Sequence, residues 1–361
     1  MSSCPIPVLL VEDSLIALEI LKRLLASSPD VKVVGTARNG KEALELIPKL
    51  QPAVICTDLH MREMDGLEFT KQVMANNPRP ILVISNAVQK EDTQNTFQLL
   101  EAGAVDIFPK PKTGLVSDYE QAKRELIGKI KVLSGVRVFT RRLQPPIARK
   151  SVSVATYNFH STATKQILNN ITASIRVVTI GASTGGPQAL HKVLAQLPSD
   201  FPVPVICTQH ISEGFLQGLV DWLAAECQLK VKIAQVGESP LPGTIYFAPE
   251  RNHLELDAQG RFIYSFSPPV DGHRPSVTIT FQSVAEFYGS RTAGILLTGM
   301  GRDGAAGMQT IAAVGGITIA QDEKSSVVFG MPKEAIALGA AKYILPVQEI
   351  ASLLLKTLSK K

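Results

Sequence analysis

Two groups of residues in this sequence have the types and the spacing that chemistry requires. The first is acidic. Glu12 and Asp13 follow one apolar run, Asp58 follows another, and Ser85 and Lys110 follow two more. Loops at the carboxyl ends of parallel strands carry the functional residues of α/β folds. Three carboxylates gathered there repel one another and favour a hard divalent cation, with Mg²⁺ the obvious candidate.

This acidic group suits attack by the Asp58 carboxylate on a phosphoryl group. The positive charge of the Lys110 ammonium is suited to binding a phosphoryl oxygen, and the Ser85 hydroxyl can move to meet that oxygen. A single acidic residue after a strand is usually explained by helix capping or solvation. The pattern recurs at four strand ends, which favours the phosphoryl interpretation.

The second group is Ser183, His210 and Asp303. Ser183 lies in the turn Gly181-Ala-Ser-Thr-Gly-Gly-Pro187, between an apolar run and a helical pattern. Such a turn holds a serine hydroxyl near a helix N-terminus, where developing negative charge is stabilised. His210 follows the next apolar run, and Asp303 lies in a later glycine-rich turn. The order predicts a nucleophilic serine, its base and an orienting carboxylate.

Rival interpretations of these residues remain open. A phosphate-cradling glycine loop would need the Lys-Ser/Thr of a P-loop or a GxGxxG pattern, and neither is present around Ser183. A lone histidine is more often structural than catalytic, but His210 follows a strand end beside the serine turn. The glycines of residues 299–304 leave backbone N–H groups free to face an oxyanion.

The elements that must position these residues alternate between apolar runs and helical periods. Strands are predicted at residues 7–11, 31–35, 53–57, 81–84 and 105–108. Their continuous hydrophobicity predicts a parallel sheet covered on both faces. From residue 176 a second, larger α/β sheet begins, with a meander predicted between residues 231 and 266. We therefore predict two doubly wound parallel-sheet domains, at residues 6–134 and 175–358, joined by a linker at 135–174.

Composition agrees with two soluble domains. The chain has 361 residues, 45% of them hydrophobic and 19% charged, with four cysteines. The absence of a long apolar run and of a signal-peptide pattern argues against membrane insertion and export. The cysteines show no CxxC pairing, and two lie in apolar runs, so we expect reduced thiols and a cytoplasmic protein.

The net charge of +5 comes from the predicted linker. Residues 135–174 hold six basic residues and no acidic one, and taking these from the 37 basic residues leaves 31 against 32 acidic ones. A solvated basic linker explains this better than an arm that binds DNA or lipid. We expect no nucleic-acid partner.

The first half resembles the receiver domains of two-component response regulators over about residues 6–130. The resemblance rests on Val11-Glu-Asp-Ser14, Thr57-Asp-Leu-His-Met61, Met64-Asp-Gly66 and Phe108-Pro-Lys-Pro111. It implies that Asp58 is the phosphoacceptor and that Ser85 and Lys110 sense the phosphoryl charge. The implied Mg²⁺ ligands are Glu12, Asp13, Asp58 and the backbone carbonyl of His60. Arg62 and Ile107 depart from the family pattern.

Residues 175–350 resemble the chemotaxis-type protein-glutamate methylesterases. The resemblance rests on the serine turn, Gln209-His210, Gly272-His-Arg-Pro-Ser-Val277, Gly299-Met-Gly-Arg-Asp-Gly304, Ile319-Ala-Gln-Asp-Glu323 and Gly330-Met-Pro332. It implies Ser183 as nucleophile, His210 as general base and Asp303 as its orienting partner. Thr184 would support the serine, and the Met300 N–H would lie in the oxyanion hole. His273 and Arg274 receive only a structural or substrate-lining role.

Together, the resemblances imply a hydrolase activated by phosphorylation. It would remove methyl esters from glutamates on the helical bundles of chemoreceptors, releasing methanol, and deamidate particular receptor glutamines. The phosphodonor would be a chemotaxis histidine kinase. The esterase would need no cofactor, the chain would be a monomer, and it would meet the membrane only through receptors. A DNA-binding regulator would need a helix-turn-helix after the linker. A non-catalytic scaffold is disfavoured by the intact Ser183, His210 and Asp303.

Overall fold

The computed structural model describes residues 4–86, 90–111, 116–138, 140 and 175–358. They form two compact units, each with its own parallel sheet. The predicted class of two parallel-sheet α/β domains is confirmed. The predicted linker, residues 135–174, lies mostly outside the described residues, so the domain bounds stay a prediction. No described helix combines the length and the apolar character that crossing a membrane requires.

The first sheet has the strand order β2-β1-β3-β4-β5, and every neighbouring pair is parallel. Its described strands are β1 (Ile6–Val11), β2 (Val31–Ala37), β3 (Val54–Asp58), β4 (Ile81–Ser85) and β5 (Asp106–Pro109). The helices of the same part of the chain are α1 (Leu15–Ala26), α2 (Gly40–Leu50), α3 (Gly66–Asn76), α4 (Lys90–Ala102) and α5 (Val116–Ser134).

Local sequence explains where these helices begin. Ser14 caps α1 by accepting from the Ala17 backbone N–H, and Asp65 caps α3 by accepting from that of Glu68 at 2.8 Å. Such caps satisfy backbone donors that a helix start leaves unpaired. The helices thus start directly after the loops that carry Asp13 and the residues following Asp58.

The second sheet has the order β14-β13-β12-β6-β7-β9-β8, again with parallel neighbours. Its described strands are β6 (Val177–Ala182), β7 (Val205–Gln209), β8 (Lys230–Ile233), β9 (Thr244–Phe247), β12 (Thr292–Leu296), β13 (Ile317–Gln321) and β14 (Tyr343–Leu345), beside a separate hairpin of β10 (His253–Leu256) and β11 (Phe262–Ser265). The helices of residues 175–358 are α6 (Gly186–Leu194), α7 (Leu216–Glu226), α8 (Val277–Tyr288), α9 (Ala305–Ala313), α10 (Met331–Ala337) and α11 (Val347–Leu358).

The expected meander between residues 231 and 266 is wrong in part. β8 and β9 pair in parallel and extend the main sheet, and only β10 and β11 form an antiparallel hairpin. β8 is one of the two edge strands of this sheet, and its lysines alternate with apolar residues. Charged residues on an edge strand oppose pairing with another chain. They also give this parallel strand the alternation of polar and apolar residues that is typical of an antiparallel strand.

The order of strands reverses at β6, which places β7 on one side of it and β12 on the other. A crevice forms outside the carboxyl ends of the strands at such a reversal, and α/β proteins bind their ligands there. The loops after β12, β6 and β7 therefore meet at one place.

Candidate active site

Ser183 follows β6 directly and is fixed by backbone hydrogen bonds on both sides. Its N–H donates to the Thr298 carbonyl at 3.0 Å, and its carbonyl accepts from the Gly186 N–H at 2.7 Å. Gly185, the N-cap residue immediately before α6, has φ +74°, in the left-handed region that favours glycine. The serine thus lies, largely buried, on a tight turn at a helix N-terminus.

His210 occupies the equivalent position after β7. Ala182 and Gln209 pair across the two strands, and the His210 N–H donates to the Ala182 carbonyl at 2.9 Å. The buried Gln209 side-chain amide donates to the carbonyls of both Ser183 and His210, at 2.8 Å each. One amide therefore ties together the backbones of the two residues.

The His210 ring pairs with Asp303 from the loop after β12. Nε2 of His210 lies 2.8 Å from Oδ2 of Asp303, with the two side chains 7% and 1% exposed. The other ring nitrogen, Nδ1, is buried and has no hydrogen-bond partner among the described residues. The ring thus has one anchored nitrogen and one nitrogen able to take a proton.

The Asp303 carboxylate lies at the N-terminus of α8. Besides the His210 ring it accepts from one hydroxyl and three backbone N–H groups, those of Ser276 (Oγ, 2.8 Å), Val277 (2.7 Å), Thr278 (2.9 Å) and Gly304 (2.9 Å). Burial opposes ionisation of this carboxyl, but the hydrogen bond and charge of His210 and the other donors outweigh burial and hold its pKa well below the usual range. Asp303 therefore stays charged at neutral pH.

The loop after β12 packs against Ser183. A Cβ added to Gly299 would lie 2.7 Å from the Ser183 Cβ, a separation that side chains do not reach. Met300, next in the chain, is 52% exposed. The Thr298 hydroxyl donates to the Thr184 carbonyl at 3.0 Å. These contacts bring the segment that carries Met300 against the serine turn, of which Thr184 is a part. The predicted roles of Thr184 and Met300 stay predictions.

The first unit gathers the acidic group as predicted. One carboxylate oxygen from each of Glu12, Asp13 and Asp58 lies within 4.8 Å of the others. Lys110 Nζ lies 2.6 Å from Asp58 Oδ2 and 3.0 Å from Glu12 Oε1. Burial, with the nearby Asp58 charge, raises the pKa of Glu12. Burial lowers the pKa of Lys110, but the two carboxylates outweigh it and the net pKa is raised.

Ser85 and the loop after Asp58 complete this pocket. Ser85 is buried at the end of β4 and its carbonyl accepts from the Lys110 N–H at 2.9 Å. The Asp58 Oδ1 accepts from the Leu59 N–H at 2.7 Å. A Cβ on Gly66 would lie 2.3 Å from the Asp58 carbonyl oxygen, so this loop closes tightly. His60 is exposed two residues after Asp58.

The acidic pocket fits a divalent cation. Its donors are hard carboxylate oxygens from Glu12, Asp13 and Asp58, close enough to share one ion. Burial, the larger cause, and the Asp58 charge raise the pKa of Glu12, so Lys110 alone does not fully compensate its ionised form. Further positive charge would therefore be stabilising there.

Each half of the chain matches a known protein family. A family model described as response regulator receiver domain matches residues 8–116, and one described as CheB methylesterase matches residues 178–354. A protein-glutamate methylesterase/protein-glutamine glutaminase of Nitrosospira multiformis is 39% identical over 356 residues, covering 99% of this chain and 98% of that protein. This chain belongs to the protein-glutamate methylesterase/protein-glutamine glutaminase family.

A second relative and a solved structure are also similar to this chain. Protein-glutamate methylesterase/protein-glutamine glutaminase 2 of Methanospirillum hungatei is 41% identical over 359 residues, covering 99% of each chain. The crystal structure of the Thermotoga maritima CheB methylesterase catalytic domain is 41% identical, with a TM-score of 0.50, and covers 51% of this chain and 99% of that one. The predicted family is confirmed.

Sequence reasoning missed two features of the methylesterase site. Ser276 both caps α8 and donates to Asp303, and its own N–H donates to the ring of the buried His253 at 3.1 Å. His273 stacks on His210, with ring centroids 3.7 Å apart and planes within 9° of parallel. The signal for both was the Gly272–Val277 motif, whose contact with His210 the sequence does not disclose.

Proposed function

We propose that the chain hydrolyses glutamyl methyl esters on the helical bundles of chemoreceptors and deamidates specific receptor glutamines through a Ser-His-Asp mechanism. Family membership supports the reaction class. The observation that carries the mechanism is the His210 ring, since Asp303 anchors Nε2 and leaves Nδ1 without a partner among the described residues. The imidazole is thereby held in the tautomer that accepts a proton at Nδ1. The Gln209 amide ties the His210 backbone to that of Ser183.

The reaction proceeds in two halves. Ser183 Oγ attacks the ester carbonyl while its proton passes to His210 Nδ1, and the tetrahedral oxyanion collapses as methanol leaves with that proton. Water then attacks the acyl-enzyme, again giving a proton to His210, and glutamate and free serine result. With a glutamine substrate the leaving group is ammonia. Asp303 stays ionised and stabilises the imidazolium that forms in each half.

The Met300 backbone N–H would serve the oxyanion, with the Thr184 segment fixing the serine turn. Both assignments rest on the contacts of residues 298–300 with the serine turn. Preorganised backbone donors stabilise developing negative charge without reorganising.

We further propose that phosphorylation of Asp58 activates the hydrolase. The Asp58 carboxylate attacks the phosphorus of the donor, and the bond from phosphorus to the donor breaks, so that the histidine imidazole, or acetate when acetyl phosphate is the donor, leaves. Lys110 then pairs with an oxygen of the new phosphoryl group, and Ser85 donates to a second oxygen. Glu12, Asp13, Asp58 and the His60 carbonyl would hold Mg²⁺, and the ion would supply positive charge to the phosphoryl oxygens. The donor in the cell would be a chemotaxis histidine kinase.

Methanol release from methylated receptor membranes tests the proposal. Release by the wild type and none by Ser183→Ala is expected, while the variant should still accept phosphate from acetyl phosphate with Mg²⁺. Release that rises with acetyl phosphate, but not in Asp58→Ala, would support activation. Full release by Ser183→Ala would refute the mechanism, and release that ignores the donor would refute the regulation alone.

A further inference from the structure

His273 is held by a two-residue hairpin turn. The N–H and carbonyl of Val270 and His273 bond to each other, at 3.1 and 2.9 Å. The two residues between them, Asp271 and Gly272, have φ +50° and +82°. Aspartate and glycine tolerate this left-handed conformation, which a two-residue turn requires. The position of His273 is thus fixed by its backbone.

Contacts on both sides fix the turn. Arg302 Nε lies 2.6 Å from the Asp271 carboxylate, which ties the turn to the residue before Asp303. On the other side, Arg274 donates to the Phe266 carbonyl at 3.2 Å. The loop that anchors His210 and the turn that carries its stacking partner are therefore linked to each other.

The stack has a physical consequence for His210. Among the described parts of the chain one hydrogen bond, at Nε2, anchors that ring, and one bond leaves rotation about the Cβ–Cγ axis weakly restrained. An aromatic face 3.7 Å away and nearly parallel restrains this rotation. The same π face attracts the positive charge that His210 gains in each half of the reaction. Both effects act when the ring carries a proton.

We propose that His273 is a positioning residue for His210, which keeps the ring aligned and stabilises its imidazolium form through the stacked face. This inference rests on the proposed function only in its assignment of His210 as the base. The sequence left a structural or a substrate-lining role open for His273. A substrate-lining residue acts on substrate affinity, whereas a positioning residue acts on the chemical step.

The experiment compares three substitutions in the full chain: His273→Phe keeps an aromatic face, His273→Leu keeps bulk alone, and His273→Ala keeps neither. We expect kcat for methanol release to fall roughly tenfold in the Ala and Leu variants, with KM unchanged, and to recover within about threefold of wild type in the Phe variant. His191→Ala, in the last turn of α6, is the matched control and should leave kcat unchanged.

The reaction of Ser183 with a sulfonyl fluoride is measured in parallel, because it needs the serine and its base but no receptor. The same ranking of variants should appear there. If receptor membranes release no methanol while this ranking persists, the proposed substrate is wrong and the role of His273 stands. A rise in KM with unchanged kcat, or equal rates for Leu and Phe, would overturn the inference. If His273→Ala does not fold, the Leu–Phe pair still decides.

Discussion

Replacing Asp303 by asparagine removes one charge and changes one acceptor atom into a donor. Oδ2 accepts from His210 Nε2 and from the Val277 N–H, while Oδ1 accepts from Ser276 Oγ and two further N–H groups. Wherever the new amide nitrogen lies, it faces at least one backbone N–H. A buried donor without an acceptor costs about 1–3 kcal/mol, and we expect Asp303→Asn to lose at least this much stability.

The catalytic loss should be larger. If the amide nitrogen takes the Oδ2 position it donates to His210 Nε2, which forces the ring proton onto Nδ1, the atom that accepts the serine proton in the proposed mechanism. If the amide oxygen takes that position, the tautomer survives but the imidazolium loses its charged partner. The same change in a serine-protease triad lowers kcat by about 10⁴, and we expect a loss of roughly 10³–10⁴ here.

The assay measures kcat for methanol release together with urea unfolding from pH 3 to pH 7. Because the native pKa of Asp303 lies below that of an unfolded carboxyl, its contribution to stability is complete above about pH 4 and is lost as the pH falls through the native pKa. Asp303→Asn should therefore approach the wild-type stability as the pH falls. A variant keeping more than about a tenth of wild-type kcat, or a constant stability difference across this range, would refute the reasoning.

Three further predictions concern single contacts. Gly299→Ala would place a Cβ 2.3 Å from Met331 Sδ and 2.7 Å from the Ser183 Cβ. Displacing the proposed nucleophile by an ångström should lower kcat by about 100-fold, measured by methanol release, and an active variant would contradict this reasoning. Gln209→Glu removes the donor to two backbone carbonyls and should cost about 1–3 kcal/mol in urea unfolding, whereas exposed Gln196→Glu should be neutral. Asp58→Asn should keep the basal rate of methanol release but lose any response to acetyl phosphate, and a retained response would place the phosphoryl group elsewhere.

Much of this arrangement can be read from the sequence because strand ends are local features. The apolar runs before Ser183 and His210 are continuous, so they predict buried parallel strands, and the right-handed crossover brings their ends to one edge. The structure places these strands side by side, with Ala182 paired to Gln209. The chemical roles of the residues stay predictions.

The contacts that the sequence does not predict are those between segments that are far apart in the chain. Nothing local indicates that His273 faces His210, since the two are 63 positions apart and stack across the fold beside the Arg302–Asp271 pair. Short elements such as β14 and α10 carry too few residues for a period to be recognised. The sequence predicts part of a meander at β8 because charged and apolar residues alternate along an edge strand, whether its partner strand is parallel or antiparallel.

The two sites place carboxylates at strand ends for opposite electrostatic purposes. Asp303 is surrounded by hydrogen-bond donors, and its lowered pKa means that its charge is already compensated within the fold. Glu12 is buried beside the Asp58 charge, and burial first and that charge second raise its pKa, so Lys110 does not fully compensate its ionised form within the fold. A satisfied carboxylate can hold an imidazole through repeated turnovers without changing state. An unsatisfied group can instead respond to a cation or a phosphoryl group, so the same placement at a sheet edge suits a fixed catalytic partner in one domain and a switch in the other.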